Sequence, residues 1–394
     1  VMVSNVCQKC TFRNLKINKM TSPSENIRVA IRIKPTTSES IISCDKETNE
    51  VFFIDKPEQK HHFDQVYSDD DTNKMIYDAS VQDVVRRTLG GTNSTIIAYG
   101  STGSGKTFTM TGCVGNPGII NYAIGDIFDE TQKDTKRVYT VSLSFFEIYN
   151  EKIIDLIANS QNPVRITQNI SKLFINSCLD FNALYQTAFE KRSTASTLEN
   201  NRSSRSHAIV RITIESKSNE GDSAYSSYLD LVDLAGSENQ GRTGATGVRQ
   251  MEGSNINKSL LALSKLMNDV ANKKTSIAGV RDSKLTMVLK DSIGGNAKTV
   301  IITTLANEEV HRNSTMSSIN FAKNAMKVTN KPVVNKVAEA KSIAALQKEI
   351  ERLKQVIKDL EISKEKIPQE KKEEIVAKAK KEITELTGIT LGGP

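Results

Sequence analysis

Residues 95–107 read TIIAYGSTGSGKT. A short apolar run from Thr95 to Tyr99 passes directly into Gly100-Ser101-Thr102-Gly103-Ser104-Gly105-Lys106-Thr107, which fits G-x-x-x-x-G-K-[ST] at every position, and the segment after it has helical potential. Strand, glycine-rich turn and helix in that order make a phosphate cradle. Glycines let backbone N–H groups turn inward around phosphate oxygens, and the helix N-terminus adds partial positive charge. Lys106 would neutralise the β- and γ-phosphates, and the Thr107 hydroxyl would hold Mg²⁺.

Such a loop alone admits a kinase, a G protein, a helicase or a motor, so two further stretches decide. LDLVDLAGSE, residues 229–238, is an apolar strand ending in Asp233, whose carboxylate would hold a Mg²⁺ water; Gly236 follows, with a backbone N–H able to reach a γ-phosphate. NNRSSRSH, residues 200–207, places Ser203, Ser204 and Arg205 just before the strand Ala208 to Ile214. Short hydroxyls beside a triphosphate donate to γ oxygens or position Mg²⁺ water, and Arg205 would pair with a carboxylate such as Glu238. A regulatory GTPase would need a guanine-reading N-K-x-D, which the sequence lacks.

The chain of 394 residues is 38% hydrophobic and 25% charged, near globular averages, which excludes a wholly disordered chain and a disulfide-stapled miniprotein. No apolar run approaches the roughly 20 residues of a membrane span, so a soluble intracellular protein is expected. Five scattered cysteines do not make a disulfide framework, and the Cys7/Cys10 pair lacks the further ligands zinc needs. The net charge of +7 suits an acidic partner of any class.

Residues 1–25 are polar, without sustained period, and read as a flexible leader. The folded domain is expected to begin with Ile27 to Ile33, where Ile27, Val29, Ile31 and Ile33 share one face of a strand. From there to about Met326, β-branched runs alternate with helix-patterned segments such as INKSLLALSKLMNDVAN, the signature of a layered α/β domain with helices on both faces of a central sheet. Residues 327–336 read as an extended connector. Ile343, Leu346, Ile350, Leu353, Ile357 and Leu360 then follow coiled-coil a/d spacing for under three heptads, which leaves either a neck coiled coil or a lone amphipathic helix. A charged helix or tail is expected over 368–394.

With these motifs together, the sequence resembles the kinesin motor domain over about residues 26–341. GSTGSGKT is similar to the family's phosphate loop, NNRSSRSH to its first switch and DLAGSE to its second; NINKSL (255–260), RDSKLT (281–286), DSIGGNAKT (291–299) and FFEIYNEKIIDLI (145–157) match in the family's order. The resemblance implies a three-layer P-loop NTPase fold around a mostly parallel mixed sheet, with a motor domain at 26–327, a neck linker at 328–341 and a neck helix at 342–367. It implies that Arg32 and Pro35 flank the adenine, with Lys34 where a second arginine is usual, and that Phe108 belongs with residues 100–107 to the nucleotide-binding set. Ser203 and Ser204 would close on the γ-phosphate and Mg²⁺, Arg205 and Glu238 would latch the two switches, and Asn257 would support the closed state.

The resemblance further implies microtubules as partner, met by the loop Asn239 to Arg249, the helix from near Asn255 and the turn around Arg281. Lys258, Lys265, Lys273, Lys274, Arg281 and Lys284 supply the positive charge, while Asn239 and Met287 stand where many kinesins carry Lys or Arg. Asn335 would latch the docked linker. The NKPVVN linker and the RTGATGVRQMEGSNINKSLL stretch look most like the centromere-associated subfamily. The expected whole is an ATP- and Mg²⁺-dependent, microtubule-stimulated, plus-end-directed motor in the cytoplasm and on the cytoskeleton, including the spindle. It would dimerise through a coiled coil, with no nucleic acid or membrane partner. The competing reading is a microtubule tether with a weak or inactive ATPase.

Overall fold

A computed structural model describes residues 18–19, 24–158, 163–164, 170–198, 205–220, 223–238, 248–273 and 278–337; for 18–19, 193–198, 248–257 and 278 only the backbone is described. The neck-helix and tail expectations for 342–394 lie outside the described residues, as do Cys7 and Cys10.

The strands that carry the fold are β1 (Arg28–Ile33), β2 (Gln65–Tyr67), β3 (Ser94–Tyr99), β4 (Arg137–Tyr149), β5 (Lys152–Asp155), β6 (His207–Ser218), β7 (Ala224–Asp233), β8 (Lys298–Leu305) and β9 (Asn335–Val337). They belong to an eleven-stranded sheet with the order β5-β4-β6-β7-β3-β8-β1-β2. Pairs β7/β3, β3/β8, β8/β1 and β1/β2 are parallel, and the rest of this path is antiparallel. The sheet is therefore mixed as expected, its parallel part grouped around β3.

Side-chain alternation explains why both faces are covered. In β3 all six residues are buried: Ile96 and Ala98 join one apolar cluster, while Ile97 and Tyr99 join the other. A strand that is apolar on both faces must be sandwiched. One face carries helices α1 (Gln82–Leu89), α2 (Lys106–Thr111), α3 (Ile119–Lys133) and α4 (Cys178–Leu198). The opposite face carries α5 (Val248–Ala271), α6 (Lys284–Val288) and α7 (Arg312–Ala325). Leu263, Leu266 and Met267 of α5 and Leu285 and Leu289 around α6 fill that second core.

Two boundaries differ from the sequence reading. Helix α5 begins at Val248, well before Asn255. Asn18 and Lys19, assigned to the leader, pair antiparallel with Lys336 and Asn335 of β9, which in turn pairs with Ala224 and Tyr225 of β7. A two-residue strand is too short to show a period, so nothing in composition marks it. Because β3, β7, β8 and β1 run parallel, their C-terminal ends meet at one edge, where an open α/β sheet binds its ligands.

Candidate nucleotide site

The turn after β3 is shaped by what glycine permits. Gly100 has φ +152°, and a Cβ there would lie 2.4 Å from the Thr304 carbonyl oxygen of β8. Ser104 Oγ donates to the Ser101 carbonyl at 2.8 Å and lies 2.6 Å from Thr304 Oγ1, tying the loop to β8. Gly103 and Gly105 also have positive φ, 78° and 104°. Lys106 is buried, and its Nζ donates to the carbonyls of Gly100 at 2.9 Å and Ser101 at 2.8 Å. Burial pulls the Lys106 ammonium below its usual range, against the opposing pull of Asp233 and Glu238. Thr102 and Gly103, the tip of the loop, are exposed.

Strand β7 delivers the second element to the same place. The Thr107 hydroxyl donates to Asp233 Oδ2 at 2.7 Å. The other carboxylate oxygen, Oδ1, is buried with no hydrogen-bond partner among the described residues. A hydroxyl and a half-satisfied carboxylate side by side fit a hard cation, because Mg²⁺ in such sites takes one or two protein oxygens and otherwise water and phosphate. That donor set also explains why no cluster of three or more His, Cys, Asp or Glu side chains forms a metal cage among the described residues. Beyond Asp233, Ser237 N donates to the Gly100 carbonyl at 3.1 Å, and Glu238 accepts from Thr102 through both its backbone N–H, at 2.7 Å, and its hydroxyl. Gly236 sits so close that a Cβ would fall 2.1 Å from Thr102 Oγ1.

The remaining expected residues divide. Arg32 is buried; its Nη1 donates to Asn73 Oδ1 and to Thr109 Oγ1 at 2.7 Å, and its guanidinium lies 5.0 Å from the Phe108 ring centroid. Burial lowers its pKa to about 10. Arg32 therefore backs Phe108, which is half-exposed, while Pro35 is exposed. Arg205 is half-buried directly before β6. Asn257 lies on α5 with only its backbone described, and Ser203 and Ser204 lie outside the described residues.

Two buried charges carry no role that the sequence motifs assign. Arg192 of α4 lies 3.7 Å from Asp233 Oδ2 and 3.9 Å from Glu147 Oε2, with both Arg192 and Glu147 at most 4% exposed. The available signal was helical spacing: Phe181, Tyr185 and Ala188 are buried core residues, and Arg192 continues their face one turn on.

Away from the loop, Lys258, Lys265, Lys273 and Arg281 are exposed, Lys284 is half-buried and Lys274 lies outside the described residues. Lys265 is not a free charge: its Nζ pairs with Asp282 at 3.0 Å. At the other end of β7, Asn335 is buried; its Nδ2 donates to the Gly91 carbonyl at 3.1 Å and Asn93 Oδ1 at 3.0 Å, and its Oδ1 accepts from Asn296 at 2.9 Å.

A parallel-sheet edge carrying this loop, with Asp233 and Glu238 delivered beside it, defines a P-loop nucleotide-binding protein. A family model for the kinesin motor domain matches residues 19–328, and the chain belongs to that family. It is 37% identical over 351 residues to Kinesin-like protein KIN-7N of Arabidopsis thaliana, covering 84% of this chain and 43% of that protein. It is 34% identical over 360 residues to Centromere-associated protein E of Homo sapiens, covering 85% of this chain and 13% of that protein. A solved fast-kinesin structure superposes with TM-score 0.73 at 32% identity, covering 80% of this chain and 96% of the other. The chain thus spans under half the length of either of these two relatives. Kinesin motor domains bind nucleotide and microtubules and are generally ATPases.

Proposed function

We propose that this chain is the motor unit of an ATP-driven, plus-end-directed microtubule motor whose hydrolysis is stimulated by microtubules. The observation that carries the reading is the meeting of Thr107, Asp233 and Glu238 around one glycine-rich loop. Lys106 would exchange its bonds to the Gly100 and Ser101 carbonyls for β- and γ-phosphate oxygens. Thr107, Asp233 and Ser204 would hold Mg²⁺, which when bound supplies charge neutralisation between the phosphates. Gly236 N–H would meet the γ-phosphate. Glu238, held by Thr102 and latched by Arg205, would orient the attacking water and take part in its proton path, with Ser203 and Asn257 supporting the closed state. No strong base is required, since phosphoryl transfer is mostly positioning and charge stabilisation. Phe108, backed by Arg32, would border the base together with Pro35.

The exposed basic residues of α5 and the Arg281 turn would meet the acidic tubulin surface, and β9 would be the docked linker held by Asn335. Dimerisation would run through the heptad spacing of 342–367, and the likeness to a centromere-associated relative supports a place on the spindle. Steady-state ATP turnover with and without microtubules tests the reading. Stimulation is expected; turnover that microtubules leave unchanged would favour a tether.

A further inference from the structure

The first residue of β6 joins the stretch proposed to meet the γ-phosphate to the helix that carries the basic face. His207 is 2% exposed. Its Nδ1 accepts the backbone N–H of Ala235 at 3.0 Å, and its Nε2 lies 2.9 Å from Ser259 Oγ. A backbone N–H only donates, so Nδ1 carries the lone pair and the proton sits on Nε2, from which it is donated to Ser259. Ala235 stands between Asp233 and Gly236, in the stretch that would answer the γ-phosphate. Ser259 is also 2% exposed and sits on α5 next to the exposed Lys258. A single neutral imidazole, locked in one tautomer, thus bonds to the backbone beside the phosphate and to the helix that carries the basic face. No rotation of the ring keeps one bond without disturbing the other.

We infer that His207 is a positioning residue that transmits displacement of the Ala235–Gly236 backbone to α5 through Ser259, and so sets how strongly bound nucleotide controls that helix. This rests on the motor reading but on a different observation. Ser259 is buried, so its loss removes no exposed surface contact, and the two ring nitrogens of His207 bond to Ala235 and Ser259 rather than to the loop around Lys106. The Oδ1 of an asparagine at 207 would occupy the place of Nδ1 and keep the Ala235 bond, while its short side chain would not reach Ser259.

The test is hydrogen–deuterium exchange of the α5 backbone, without microtubules, in the ADP state and with a non-hydrolysable ATP analogue. The proteins are wild type, Ser259→Ala, Ser259→Thr and His207→Asn. Wild type and the hydroxyl-retaining Ser259→Thr are expected to show nucleotide-dependent protection of α5. Ser259→Ala and His207→Asn should lose most of that difference, while affinity for the analogue stays within about threefold. A merely structural role would raise exchange equally in both nucleotide states. Protection that responds to nucleotide equally in wild type and Ser259→Ala would overturn the inference, as would a wild-type helix that does not respond at all. Failure of the motor reading would register separately, as absent microtubule stimulation of the wild-type ATPase.

Discussion

Glu238 and Thr102 are held together by two hydrogen bonds, one from the backbone N–H of the exposed loop tip and one from its hydroxyl. The carboxylate thereby fixes the second switch stretch to the phosphate loop, three residues beyond the Ala235 N–H that His207 accepts. Glu238→Ala should bind ATP and turn it over at least about 100-fold more slowly, a loss of about 2.7 kcal/mol of transition-state stabilisation. Glu238→Gln retains an acceptor for the Thr102 N–H and should keep nucleotide affinity while remaining slow. Measured kcat near the wild-type value in either variant would remove Glu238 from the proton path.

The parts of the site that follow from local chemistry were legible in the sequence. TIIAY alternates between two apolar clusters, and the glycines at 100, 103 and 105 sit where the turn takes positive φ, with a Gly100 Cβ falling 2.4 Å from the Thr304 carbonyl oxygen. What could not be read is what distant segments bring to one another. Arg192 gives no local hint that it meets Glu147 and Asp233, and Asn335 reaches Gly91 and Asn93 across more than 240 residues. Lys265 belongs to a basic face by sequence, yet Asp282, 17 residues on, pairs with it. Burial and partner choice are tertiary facts, and a period in one segment does not contain them.

Lys106 is buried with its ammonium on two carbonyls of its own loop. Lys106→Ala removes the charge proposed to meet the phosphates and leaves both carbonyls without that donor, so nucleotide affinity should fall by at least about 100-fold, or roughly 2.7 kcal/mol. Titration with a fluorescent ADP or ATP analogue checks this, and unchanged affinity would show that the loop's backbone N–H groups suffice.

Asn335 holds β9 with three side-chain hydrogen bonds in addition to its backbone bond to the Gly91 carbonyl. At about 0.5–1.5 kcal/mol each, Asn335→Ala should weaken docking by roughly 2–4 kcal/mol. ATP turnover should stay within about twofold of wild type, while gliding speed and force drop. Unchanged gliding, or linker fluorescence that still reports a docked strand, would take the latch role away from this residue.

His207 also gives the fold a pH dependence whose sign is fixed. Burial first, then the neighbouring Arg192 and Lys106 charges, pushes its pKa from 6.5 down to about 3. Between those values the unfolded chain binds a proton that the folded chain refuses. Stability therefore falls as pH drops through this window, by up to about 1.4 kcal/mol per unit. Well above pH 6.5 the contribution is flat, because the imidazole is then neutral in both states. Denaturant unfolding at pH 6.5 and 5 should show a loss of roughly 1–2 kcal/mol in wild type beyond that of His207→Asn, which has no group to titrate there. Carboxylates shared by both proteins cancel in the comparison, so equal losses in the two would mean that the folded protein accepts the proton on His207 at ordinary cost.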